Sequence, residues 1–193
     1  MSKVISGLAK GVNLEVFPKK NLRPTSNRAK EALFDIIQFD IKDKVFLDLF
    51  SGTGQIGIEA ISRGAKKVIF VDKSSESIGI LKRNIKKLPK ICAENLNIEI
   101  HKKDCFYFLE KFKNKVDFLF ADAPFDMKID ENALLKFSKV MKNEGTIIIE
   151  TSSSDKKIDE FGNFYLMKKY KYGSISLSFY VQKAERVIKR DGI

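Results

Sequence analysis

A chain of 193 residues with 44% hydrophobic content can build one full core but not a second large domain. Its 36 basic and 25 acidic side chains leave a net charge of +11, and no apolar run approaches the roughly 18 residues of a membrane helix or suggests a secretory leader. Two cysteines (Cys92, Cys105) and one histidine (His101) form no metal-binding spacing, so no zinc or iron site is expected and free thiols suit a reducing cytoplasm.

The excess of positive charge is uneven. Residues 1–30 carry Lys3, Lys10, Lys19, Lys20, Arg23, Arg28 and Lys30 against Glu15 alone. A lysine-rich composition would also raise the charge, since 30 of the 36 basic residues are lysine, but the clustering favours a nucleic-acid partner. Val4, Ile5, Leu14, Val16 and Phe17 alternate loosely and predict a short hairpin or extended arm over the first 22 residues. After Pro24, the capping residues Thr25, Ser26 and Asn27 open a helix whose Ala29, Ala32, Leu33, Ile36 and Ile37 share one face.

From residue 44 strands and helices alternate. Strands are predicted at 45–50, 67–71, 96–101, 116–121 and 146–150, with helices at 55–63, 75–87, 105–112 and 131–141 between them. Such alternation implies a doubly wound, mostly parallel α/β sheet. The end departs from it, because 163–171 and 174–182 flank Tyr172-Gly173 and read as an antiparallel hairpin, giving seven strands in all. The expected organisation is an arm and helix at 1–43 packed on a catalytic domain at 44–183, followed by a basic tail at 184–193.

Two motifs carry chemistry. Asp48-Leu49-Phe50-Ser51-Gly52-Thr53-Gly54 leads into Gln55-Ile56-Gly57, a glycine-rich turn between strand and helix, and Asp72 ends the next strand. Glycines there let the backbone approach a nucleotide cofactor, and an acid at the second strand accepts from both ribose hydroxyls. Asp48 argues against a dinucleotide, since a carboxylate so close would repel a pyrophosphate but can hold the ammonium group of S-adenosylmethionine. Asp104 either meets the adenine amine or caps the helix that follows it. The second motif is Asp122-Ala123-Pro124-Phe125 at the end of the fourth strand. Its carboxylate can accept from an exocyclic amine, and Phe125 can stack on a planar base or belong to the core.

Arg23-Pro24-Thr25-Ser26-Asn27-Arg28, the glycine loop with Glu59-Ala60 and Ser62-Arg63-Gly64-Ala65, and the Asp122 turn together resemble the bacterial RsmD-type methyltransferases. The resemblance runs from Ile5-Ser6-Gly7 to the Tyr172-Gly173 hairpin. It implies a class I, Rossmann-like fold and transfer of a methyl group from S-adenosylmethionine to the exocyclic amine of a guanine in 16S ribosomal RNA, with S-adenosylhomocysteine as product. It further implies that Asp48, Ser51, Gly52, Gly54, Asp72 and Asp104 bind the cofactor, that Asp122, Pro124 and Phe125 form the catalytic turn, and that Thr25 and Arg28 close over cofactor and base. Arg23, Lys19 and Lys20 are then expected to grip phosphates of ribosomal RNA within an assembling small subunit, with the protein acting as a cytoplasmic monomer. Ala123 departs from the family's proline and frees one backbone torsion in the turn. Competing readings are methylation of another base amine such as adenine N6, a degenerate RNA-binding or assembly protein, and an NAD-binding oxidoreductase.

Overall fold

In the computed structural model the described residues are 2–17, 27–92, 97–124 and 127–183. Lys19, Lys20, Arg23, Thr25, Phe125 and the 184–193 tail lie outside them. The chain begins with β1 (Ser2–Lys3), β2 (Asn13–Leu14) and α1 (Asn27–Ile37). It continues through β3 (Val45–Leu49), α2 (Gln55–Ser62), β4 (Lys67–Asp72), α3 (Ser75–Lys86), β5 (Asn97–Lys102), α4 (Cys105–Lys111) and β6 (Val116–Asp122). Then come α5 (Glu131–Ser138), β7 (Met141–Ser152), β8 (Glu160–Phe161), β9 (Phe164–Tyr172) and β10 (Ile175–Gln182).

The main sheet has the order β5-β4-β3-β6-β7-β10-β9-β8. Strands β3, β4, β5 and β6 pair in parallel, β6 pairs with β7 in parallel, and β10 runs antiparallel to both β7 and β9. The apolar runs of β3, β4 and β6 suit strands covered on both faces. On one face Phe46, Phe70, Phe120 and Ile148 join residues of α1, α2 and α3; on the other Leu47, Ile69, Leu119 and Ile147 join α4 and α5.

Period-two alternation then has a consequence at the strand ends. Asp48, Asp72, Asp122 and Glu150 each lie two residues beyond one of the first-face residues, so all four carboxylates belong to that face at the carboxyl ends of their strands. Ligands in open α/β sheets bind there.

Two expectations change. The sheet has eight strands rather than seven, because Glu160–Phe161 adds a short edge pair to β9. The helix ending at Met141 stops instead at Ser138, and the fifth parallel strand starts at Met141 rather than Thr146. Met141 pairs with Val116, and a register shift with positive φ at Glu144 (64°) takes up the polar Lys142-Asn143-Glu144 stretch.

The N-terminal segment docks on α2. Glu59, fully buried, accepts from the Ile5 and Ser6 amides at 2.8 and 2.9 Å and pairs with Arg63 at 3.0 Å and Lys30 at 3.8 Å. Lys30 also donates to the Lys3 carbonyl at 2.7 Å and is only 1% exposed. It is therefore removed from the basic cluster read from the sequence: a lysine so placed holds the fold and cannot reach a phosphate. Among the described residues, no helix is long and apolar enough to cross a membrane.

Candidate active site

The site is built from the turn that follows β3. Phe50 takes a left-handed conformation (φ 57°), and its amide donates to Cys105 Sγ at 3.3 Å. Burial pushes the Cys105 thiol up to about 12, so it stays neutral and serves as a strut between β3 and α4. Gly52 (φ 52°) and Gly54 (φ 83°) complete the turn, and a Cβ on Gly54 would lie 2.2 Å from Leu81 Cδ1. Gly57 is required for closeness instead. A Cβ there would stand 2.2 Å from the Phe70 ring and 3.0 Å from Asp48 Oδ2.

That closeness serves Asp48. The Gly57 amide donates to Asp48 Oδ2 at 2.9 Å, and the carboxyl is 2% exposed. Burial pushes its pKa up to about 8; the Gly57 amide opposes the shift, and the nearby Asp122 and Asp72 charges add to it. Asp72 receives the Gly52 amide on Oδ2 and the Ser74 amide on Oδ1, both at 2.8 Å, and so ties the glycine loop to β4. Asp104 caps α4, its Oδ1 accepting from Phe106 and Tyr107 at 3.0 Å. The capping alternative for Asp104 is thus realised, and both bonds use one oxygen of a carboxylate that also lines the cleft.

A cleft of about 1650 Å³ opens over these strand ends, and its lining includes Asp48, Ser51, Gly52, Asp72, Asp104 and Asp122. The residues fit an adenosine cofactor that carries positive charge. Ser51 Oγ is buried with no hydrogen-bond partner among the described residues, which suits a ligand contact. Several carboxylates and no basic cradle in the loop suit a sulfonium and an ammonium far better than a pyrophosphate.

The other half of the cleft lies beyond β6. Asp122 ends that strand half-buried, and Ala123 and Pro124 follow along the lining. The Pro124 carbonyl accepts from the Met127 amide at 2.8 Å and closes the turn. Arg28 is exposed near the start of α1 and is not among the lining residues, so the structure does not bring it to the other site residues. Lining residues that escaped the sequence reading include Glu150, Lys128, Lys156, Lys157 and Lys169. Only strand register could reveal Glu150, and the lysines were hidden by the lysine-rich background.

Known proteins match this architecture along most of the chain. The family described as Conserved hypothetical protein 95 matches residues 2–181. Ribosomal RNA small subunit methyltransferase D of Haemophilus influenzae is 34% identical over 182 residues, 92% of each chain. The solved yhhF structure from Escherichia coli covers 95% of this chain and 99% of its own at 24% identity, with a TM-score of 0.81, and shows the same fold. A more distant solved chain, 14% identical with a TM-score of 0.69 over 89% of this chain and 54% of its own, is complexed with SAH. This chain belongs to the Conserved hypothetical protein 95 family, that of the RsmD-type methyltransferases.

Proposed function

We propose that this protein transfers a methyl group from S-adenosylmethionine to the exocyclic amine of a guanine in small-subunit ribosomal RNA. Family membership makes it an S-adenosylmethionine-dependent ribosomal RNA methyltransferase. The guanine amine is the finer step, and one observation carries it. The Asp122-Ala123-Pro124 turn opens on the same cleft as the glycine loop and its carboxylates, so an amine held at the turn faces a cofactor held at the loop.

In this reading Asp48, Ser51, Gly52 and Gly54 surround the methionine end of the cofactor, Asp72 its ribose and Asp104 its adenine. When bound, the cofactor supplies an electrophilic methyl on a sulfonium that leaves as a neutral thioether. The protein's task is then to present the amine. A guanine amine is a weak nucleophile because its lone pair is delocalised into the ring. Asp122 and the main-chain carbonyl of residue 123 each accept one amine hydrogen, which favours a pyramidal nitrogen with its lone pair aimed at the methyl. The surplus proton that methylation would leave on nitrogen passes to Asp122 or water. Rate enhancement comes from positioning and electrostatics rather than from a strong base.

Phe125 stacks on the flipped base, and Thr25 closes over it; Lys19, Lys20, Arg23 and the exposed Arg28 grip phosphates. The arm and helix at 1–43 act with the catalytic domain at 44–183, and the 184–193 tail adds basic charge. The working form is a monomer acting in the cytoplasm on an assembling small subunit. The test is a map of methylated guanines in small-subunit RNA from cells with and without the gene. One N2-methylguanine should vanish on deletion and return with the wild-type gene; an unchanged map would overturn the proposal.

A further inference from the structure

We infer that Glu150 reads the N1–H of the target guanine and thereby sets the enzyme's preference for guanine over purines that lack this hydrogen. The inference rests on the reading of a guanine amine as the acceptor and adds the residue that recognises the base.

Glu150 is 7% exposed yet lines the cleft. It is the direct Cα partner of Asp122 across the parallel β6–β7 pair, and alternation assigns both side chains to the same face. Neighbouring strands lie about 4.8 Å apart, so the two carboxylates rise side by side. A guanine offers two adjacent donors on its Watson–Crick edge, the N2 amine and N1–H. The two amine hydrogens are taken by Asp122 and the carbonyl of residue 123, which leaves N1–H to the neighbouring acceptor. That acceptor sits beside Leu177 of β10, which is fully buried and excludes water on that side. In such surroundings a carboxylate facing a donor is strongly selective, because a base presenting a bare N1 lone pair meets charge repulsion.

Two bases separate this role from a structural one. 2-Aminopurine keeps the 2-amine, but its N1 is an acceptor. Small-subunit particles are reconstituted on RNA carrying guanine or 2-aminopurine at the mapped target, and kcat/KM is measured for wild type and Glu150→Gln. The wild type should prefer guanine by about 10²-fold, and Glu150→Gln should lower that ratio at least ~10-fold, since its amide N–H can donate to the bare N1. S-adenosylmethionine affinity, read by calorimetry, should not move. If Glu150→Gln does not fold, Glu150→Ala is read by the same ratio, with the guanine rate falling and the 2-aminopurine rate holding. A ratio unchanged from wild type, whether both rates fall together or neither moves, overturns the inference alone. A wild type that methylates no guanine amine overturns the underlying reading with it, and that outcome is visible before any variant is made.

Discussion

The two halves of the cleft hold their carboxylates in different ways. On the glycine-loop side each acid has a main-chain partner: Asp48 receives the Gly57 amide, Asp72 those of Gly52 and Ser74, and Asp104 those of Phe106 and Tyr107. On the acceptor side Asp122 and Glu150 are direct partners across the β6–β7 register, and the turn after Asp122 is closed by the Pro124–Met127 bond. The first half is organised by bonds that belong to the fold, so binding and stability are coupled there. The second half faces the acceptor, so loss of its side chains should appear in turnover.

The contrast can be broken most directly at Asp122. Asp122→Ala should reduce turnover by at least ~10²-fold while leaving S-adenosylmethionine affinity near wild type. Single-turnover rates and calorimetry check this, and a variant that methylates at the wild-type rate would remove the turn from the chemistry. Asp72→Ala should do the opposite. Losing an acceptor for two loop amides should lower stability by about 1–2 kcal/mol and weaken cofactor binding roughly tenfold or more, with the maximal rate at saturating cofactor far less affected. A loss of affinity with unchanged stability would uncouple the two properties.

Asp48 sharpens the comparison through pH. Its folded-state pKa of about 8 lies above the usual carboxylate value, so the folded protein retains a proton that the unfolded chain has lost. The penalty is absent below about pH 4, grows as pH rises, and levels off above about pH 8. Asp48→Asn should therefore stabilise the apoprotein by about 1 kcal/mol near pH 8, with the gain shrinking towards pH 5. Urea denaturation at both pH values measures it, and a gain independent of pH would show that the buried charge is not its source. The smallest effect is expected at Ala123. Ala123→Pro, which stiffens the turn, should raise turnover only a few-fold and leave cofactor affinity unchanged. Steady-state kinetics with calorimetry checks both.

Much of this was legible in the sequence because local signals agreed with the fold. The strand-to-helix rhythm, Gly52 and Gly54 with positive φ, and Asp72 at the end of its strand all lie where the pattern placed them. What escaped depended on contacts distant along the chain. Lys30 looked like one more basic residue of the arm, and only the docking of residues 3–6 on α2 shows that it is buried against Glu59. Glu150 looked like the tail of an apolar strand, because nothing local announces that β7 lies in register with β6 beside Asp122. The early start of β7 was hidden by Lys142-Asn143-Glu144, whose polarity reads as a loop although Met141 before it and Thr146 after it are paired in the sheet.

The buried Asp48 carboxyl has a further consequence for how binding heats are measured. At neutral pH it is protonated, and a cationic ligand settling beside it favours the ionised form, so the proton leaves as the ligand arrives. The buffer must take up that proton. Observed enthalpies should therefore differ between Tris and phosphate by the buffers' own ionisation heats, and a titration series across buffers would count the protons released per cofactor bound.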